Sequence, residues 1–238
     1  MRVDVVADHQ LGIHGAAYVA AALRAGVAAR GRATVAFSGG SAAPPLLNAL
    51  AEQEVPWSSV HVLQVDERVA PHGHADRNAT VLRDGLIDRV AIPADHVHEM
   101  PVTDTSLERA ADRYAHTVER LAGRPPTLDV VHLGIGHDGH TASLVPGSDL
   151  LHRAVGSVAA ASPYHGRRRM TLTIPVLSAA RHVLWVVSGA SKAPIVRRFI
   201  DSDPALPAVQ VDRSGAVLLL DSTAAACLAH DTDISENA

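Results

Sequence analysis

Short apolar runs alternate with longer amphipathic stretches along most of this chain, and the alternation predicts strands and helices in turn. Residues 3–7 read as a first strand. Residues 11–29 read as an Ala-rich helix whose Ala16, Val19, Ala20, Leu23 and Val27 form one apolar stripe. A second strand, 34–37, runs into Ser38-Gly39-Gly40-Ser41. A helix over 44–51 follows, with proline near its start, where a missing N–H costs little. A third strand, 60–65, is interrupted by Gln64 and ends in Asp66-Glu67-Arg68, which reads as a charged loop. Asn78 is placed to cap a helix over 79–87.

Residues 104–122 give the clearest helical spacing, with Leu107, Ala110, Ala111, Tyr114, Val118 and Leu121 on one face, and Pro125-Pro126 ends that helix. The apolar strand 128–133 then opens into a glycine-rich loop, behind which Thr141 and Ser143 are placed to cap a short helix. Beyond Pro146-Gly147 the pattern is weak until residues 169–174. Period-two alternation there sets Arg169, Thr171 and Thr173 opposite Met170, Leu172 and Ile174. A strand over 182–187 turns through Ser188-Gly189-Ala190-Ser191-Lys192 into a helix containing Ile195, Val196, Phe199 and Ile200. A last strand, 216–220, a short helix, 223–229, and a polar tail, 231–238, expected to fray, complete the chain. Strands alternating with helices imply an α/β fold: an open, mostly parallel, Rossmann-like sheet with helices on both faces and right-handed crossovers. The expectation is one α/β domain over residues 1–238.

Composition narrows the partners. The chain is long enough, at 238 residues, to bury a substantial core. A formal net charge of −4 offers no global basic field to nucleic acid or an anionic membrane, so an anionic ligand must be held by locally gathered Arg and Lys. Aromatic content of 3% argues against a base-stacking platform. The single cysteine, Cys227, excludes an internal disulfide and multi-cysteine metal sites; its Ala-rich surroundings read as a buried thiol. Residues 1–10 lack a signal-peptide core, and no apolar stretch reads as long enough for a membrane span, so a cytoplasmic protein is expected. The pairs His72/His74 and His96/His98 sit in polar segments without zinc-like spacing and read as solvated loop residues, with no metal implied.

Four segments begin where a predicted strand stops: 38–41, 66–68, 134–140 and 188–192. In a parallel sheet the carboxyl ends share one edge, and ligands bind there. Strand, glycine turn and helix N-terminus, as around Ser38–Ser41, hold an anion on backbone amides. Lys192 in the first turn of a helix is unfavourable against the positive dipole end, and an anionic ligand reverses that cost. The stretch Leu133-Gly134-Ile135-Gly136-His137-Asp138-Gly139-His140-Thr141-Ala142-Ser143-Leu144 delivers a carboxylate, Asp138, and an imidazole, His140, two residues apart on a glycine-rich turn. A small phosphorylated carbonyl compound fits this set better than a nucleotide, because no Walker lysine or dinucleotide glycine pattern is present.

These pieces, together with Pro71, Asn78, Pro146-Gly147, Arg169 through Thr173 and the segment around Lys192, resemble the 6-phosphogluconolactonases. That family lies within the larger group that includes glucosamine-6-phosphate isomerases (deaminases). The resemblance implies hydrolysis of 6-phosphoglucono-δ-lactone to 6-phosphogluconate, the second step of the oxidative pentose phosphate pathway. It also implies the open α/β fold shared with ribose-5-phosphate isomerase and the CoA transferases and no required cofactor; no obligate protein partner is inferred. Carried onto matching positions, His140 is the catalytic base, Asp138 its orienting partner, and Arg68 a group near the reacting substrate. Gly40, Ser41, Arg169 and Lys192 hold the phosphate, and Gly39, Asp66 and Asn78 complete the substrate-binding set. Three departures stand out: Arg77 where the family usually has Ser, Val145 in place of its frequent Phe, and no Trp before Asp221. In the aminosugar-phosphate isomerase branch a glutamate at the position of Val145 partners the catalytic histidine. Valine cannot relay a proton, which favours the lactonase. A non-catalytic sugar-phosphate sensor would leave His140 beside Asp138 unexplained.

Overall fold

The computed structural model describes residues 1–152 and 156–228. The expected frayed tail, 231–238, and the end of the last predicted helix lie outside the described residues. In chain order the elements are β1 (Arg2–Val6), α1 (Leu11–Arg30), β2 (Ala33–Phe37), α2 (Ala43–Ala51), β3 (Val60–Gln64), β4 (Asp66–Arg68), α3 (Asn78–Gly85) and β5 (Val97–His98). Then come α4 (Leu107–Ala122), β6 (Val130–Leu133), β7 (Val158–Tyr164), β8 (Arg167–Leu172), α5 (Ile174–Ser178), β9 (His182–Val187), α6 (Ala193–Ile200) and β10 (Val217–Asp221).

Seven strands form a parallel sheet in the order β1-β10-β9-β6-β2-β3-β5, so β6 and its glycine loop lie at the centre. Side-chain alternation along each strand divides the core into two layers. Val35, Phe37, Val62, Val130 and Leu184 face α1, α2 and α3, while Ala36, Leu63, Val131, Leu133 and Trp185 face α4, α6 and the rest of the chain. Helices therefore cover both faces, as the alternation predicts.

Helix α1 reaches α2 closely because it carries Gly12 and Gly15, where a Cβ would lie 2.6 Å from the Pro45 carbonyl oxygen and 2.9 Å from Leu46 Cδ1. Its stripe of Ala16, Val19, Ala20 and Leu23 is fully buried, whereas Val27 is only half-buried. One expectation is corrected here. The helical segment Asp8–Arg30, 23 residues, is by length and composition long and apolar enough to cross a membrane. In this fold half of that apolar stretch is buried as a cover for the sheet.

A second sheet, β4-β8-β7, is antiparallel and was not anticipated. Val65 transfers the chain between the sheets: its N–H donates to the Phe37 carbonyl (3.0 Å), and its carbonyl accepts from Leu172 N–H (2.8 Å). The triplet Asp66-Glu67-Arg68 is thus a strand rather than a charged loop, with Asp66 and Glu67 both buried. Strand β7 escaped notice because its sequence, VAAASPY, is small and weakly alternating. Ile174 leaves the predicted strand 169–174 to start α5, with Pro175 in the first turn.

Three further expectations change. No helix follows Thr141 and Ser143; Thr141 and Leu144 instead bridge across a tight turn. Cys227 is exposed, not buried. His72 and His74 are exposed as expected, but His96 and His98 are half-buried against His61. The His61 and His96 rings lie 4.0 Å apart, and His61 Nδ1 is 3.2 Å from His98 Nε2. Burial, then repulsion from His61, brings the pKa of His98 down to about 4.

Candidate active site

The carboxyl ends of β2, β3, β6 and β9 open into a cleft of about 370 Å³. Gly39, Gly40, Ser41, Asp66, Arg68, Asn78, Asp138, His140, Arg169 and Lys192 all line it, so the structure brings every sequence-predicted site residue to one place. The loop after β6 closes on itself, with Gly136 N–H donating to the His140 carbonyl (2.8 Å) and Gly139 N–H to the Gly136 carbonyl (3.0 Å). Within it Asp138 Oδ1 lies 2.6 Å from His140 Nδ1 and also accepts from the His140 backbone N–H at 3.2 Å. The two-residue spacing is therefore a direct contact. Gly136 makes room for it: a Cβ there would lie 2.7 Å from Asp138 Oδ1 and closer still to His140 Nδ1. Burial raises the Asp138 pKa, but the bonds from His140 outweigh it and hold the carboxyl below its ordinary value.

The cationic groups stand around this pair. Lys192 immediately precedes α6, half-buried, and its Nζ donates to the Ile135 carbonyl at 2.8 Å instead of pointing into water. Burial lowers its pKa, partly opposed by the Asp138 charge. The turn before it depends on Gly189, at φ +96°, whose N–H donates to Asp221 Oδ2 at 2.8 Å. Arg169 is buried on β8, with its Nη1 3.9 Å from Asp66 Oδ2 and its Nε without a hydrogen-bond partner among the described residues. Arg68 donates from Nη1 to the Asp76 carbonyl (2.9 Å), and its Nε is likewise unpartnered.

Asp66 and Asn78 form a strut beneath the cleft. Ser143 Oγ donates to Asp66 Oδ2 (2.6 Å), and Asn78 Nδ2 donates to Asp66 Oδ1 (3.1 Å) and to its backbone carbonyl (2.9 Å). Burial pushes the Asp66 pKa up, with the Ser143 bond and the nearby arginines opposing it. The glycine turn rests on this strut: a Cβ at Gly39 would lie 2.6 Å from Asn78 Cγ.

The model of the family described as glucosamine-6-phosphate isomerases/6-phosphogluconolactonase matches residues 7–219. The chain belongs to this family. It is an enzyme of that family, and its relatives include the 6-phosphogluconolactonase of a Nostoc species, 38% identical over 205 residues that cover 83% of this chain and 85% of that protein. The Mycobacterium tuberculosis 6-phosphogluconolactonase is also 38% identical, over 221 residues covering 87% and 90%. Among solved structures, the 6-phosphogluconolactonase from Trypanosoma brucei superposes with a TM-score of 0.82 at 26% identity, covering 95% of this chain and 98% of that one.

Arg77, one of the three departures from the family pattern, does not line the cleft and pairs with Glu67. Its Nε is 2.8 Å from Oε2 of Glu67, and both side chains are fully buried. Glu67 also accepts from the N–H groups of Asn78 (2.8 Å) and Ala79 (2.9 Å). The start of α3 is therefore capped by the Glu67 carboxylate, and Asn78, expected as the cap, is its first helical residue. Glu67, inside the charged triplet, and Arg77, ten positions on, carried no signal that they would meet.

Two other residues of the cleft were missed. His132, on β6, is fully buried with both ring nitrogens unpartnered among the described residues, and burial lowers its pKa to about 4. Its register with Phe37 and Leu184 sets it on the α1–α2 face, and an apolar strand pattern conceals it. Tyr164 ends β7, and its O–H donates to Asp138 Oδ2 at 2.9 Å. Nothing in the weak pattern around it marked it out.

Proposed function

We propose that this chain hydrolyses 6-phosphoglucono-δ-lactone to 6-phosphogluconate, within the oxidative pentose phosphate pathway, with His140 as the general base. The observation that carries this reading is the Asp138–His140 contact of 2.6 Å in the same cleft as Arg169 and Lys192. With Nδ1 held by Asp138, the remaining nitrogen, Nε2, is the one available to water. A lactone is an activated ester, so water needs only a base and a place for the developing charge. His140 takes the proton as water attacks the carbonyl carbon, Asp138 stabilises the imidazolium that forms, and His140 then protonates the departing ring oxygen. The N–H groups of Gly136, Gly139 and His140 are engaged inside their own loop, and Arg68, a cation lining the same cleft, is the group assigned to the oxyanion.

The phosphate is held by Arg169, Lys192 and the amides of Gly40 and Ser41 just before α2. Asp66 and Asn78 act mainly as the strut that sets Arg169 and Gly39. Val145 supports the lactonase reading over aminosugar-phosphate isomerisation, since it offers no proton-relaying group.

The test is acid release, above spontaneous hydrolysis, from freshly generated 6-phosphogluconolactone and from unphosphorylated gluconolactone. Strong preference for the phosphorylated lactone is expected, and His140→Ala is expected to lose roughly 10²-fold in kcat. Ammonia release from glucosamine 6-phosphate, or near-normal turnover by the variant, would overturn the assignment.

A further inference from the structure

We propose that Tyr164 is a positioning residue for this reaction, fixing the Asp138–His140 pair through its hydroxyl and seating the phosphate anchor Arg169 on its ring. The inference rests on the reading of His140 as the base.

Asp138 has two carboxylate oxygens and two different partners. Oδ1 faces His140 Nδ1 at 2.6 Å, and Oδ2 accepts from the Tyr164 hydroxyl at 2.9 Å. The Asp138 side chain is about a third exposed, so the second bond is what holds the carboxylate plane against rotation. The ring of Tyr164 also packs edge-on against that of His140, with centroids 5.3 Å apart and planes at 68°. The Arg169 guanidinium carbon lies 5.1 Å from the Tyr164 centroid, and Arg169 Nη2 reaches the Tyr164 carbonyl at 3.4 Å. One side chain therefore touches both the Asp138–His140 pair and a proposed phosphate anchor.

The backbone explains how it stays there. His165 and Gly166, at φ +50° and +75°, make the left-handed two-residue turn that matches the twist of a tight hairpin. Tyr164 and Arg167 pair across that turn, so the phenol is carried on a β-hairpin and not on a free loop. The groups facing the phenol are Asp138 and His140 from the loop after β6, His165 with its ring tilted against it at 4.1 Å, and Arg169 from β8, which has Asp66 beside it. Lys192 adds a positive charge felt by Asp138. Burial and the Asp138 bond raise the phenol pKa, so Tyr164 remains a neutral donor, and its bond favours the ionised form of Asp138.

The experiment compares the full chain with Tyr164→Phe, Tyr164→Leu and His140→Ala over a pH series. Tyr164→Phe keeps the ring and loses the donor. It is expected to lose about tenfold in kcat with KM changed less than about twofold, as befits one hydrogen bond to a charged group. The acid limb of its kcat/KM profile moves to higher pH, because Asp138 protonates more readily. Tyr164→Leu removes the ring as well and adds a rise in KM of about threefold or more, from an unseated Arg169. Unchanged kcat and pH profile in Tyr164→Phe would overturn the proposal. So would a loss in both variants accounted for entirely by a lowered melting temperature. An inactive His140→Ala beside a fully active Tyr164→Phe sinks this inference alone; an active His140→Ala sinks the reading beneath it.

Discussion

Replacing Gly136 by alanine tests the site's geometry without changing any of its chemistry. The added methyl would sit 2.7 Å from Asp138 Oδ1 and nearer still to the His140 ring, where ordinary carbon contacts begin near 3.4 Å. One or both side chains must give way by about 1 Å to relieve the overlap, and a displacement of that size costs about 10²-fold in rate. Gly136 does not have a left-handed φ, so the backbone itself tolerates alanine. Overpacking costs stability of about 1–3 kcal/mol. Arg169 and Lys192 belong to other elements, β8 and the start of α6, so KM should change little. The assay is steady-state lactone hydrolysis with a melting curve for each variant. Gly134→Ala is the control, because a Cβ there meets nothing within 4 Å. It is expected to retain both kcat and melting temperature. If Gly136→Ala turns over normally while a structure shows the imidazole displaced from Asp138, the contact between the two does not contribute to the rate.

Arg169→Ala and Lys192→Ala are each expected to raise KM more than they lower kcat, because a remote phosphate is held alike in ground and transition states. A pure kcat loss, read from the same assay, would place them at the reacting carbon instead. Acid sensitivity has a separate source. His132 titrates near 6.5 when unfolded and at about 4 in the fold, so the unfolded chain binds more protons between those values. Stability is then retained above pH 6.5 and lost as the pH falls toward 4, by roughly 2–3 kcal/mol at pH 4.5 from this residue. Urea unfolding of the chain and of His132→Leu at pH 7 and pH 4.5 checks it, and an equal acid loss in both would refute the assignment.

Most of the large sheet was legible because its strands are apolar runs with glycine turns at their ends. The extent of β9 and the stripe of α4 follow from hydrophobic spacing alone. The loop after β6 was legible as chemistry because its glycines, carboxylate and imidazole are adjacent in the chain. The charged triplet on β4 was not, because charge near a strand end normally signals solvent. Here the Arg77 guanidinium and the amides opening α3 neutralise Glu67 from across the fold. His96 and His98 were misread for a related reason: the partner that shelters them, His61, is remote in sequence.

The sequence by itself determined that a buried, mostly parallel sheet would form and which turns would carry functional groups, since hydrophobic period and glycine placement are local properties; the order of its strands came from the tertiary structure. Only the tertiary structure decided that a second sheet carries Arg169 and Tyr164 to the cleft, and that His140 leans on Asp138 and Asp138 on Tyr164. Those contacts join β6, β7 and β8, and hydrogen bonds between distant segments leave no periodic trace in the chain that makes them.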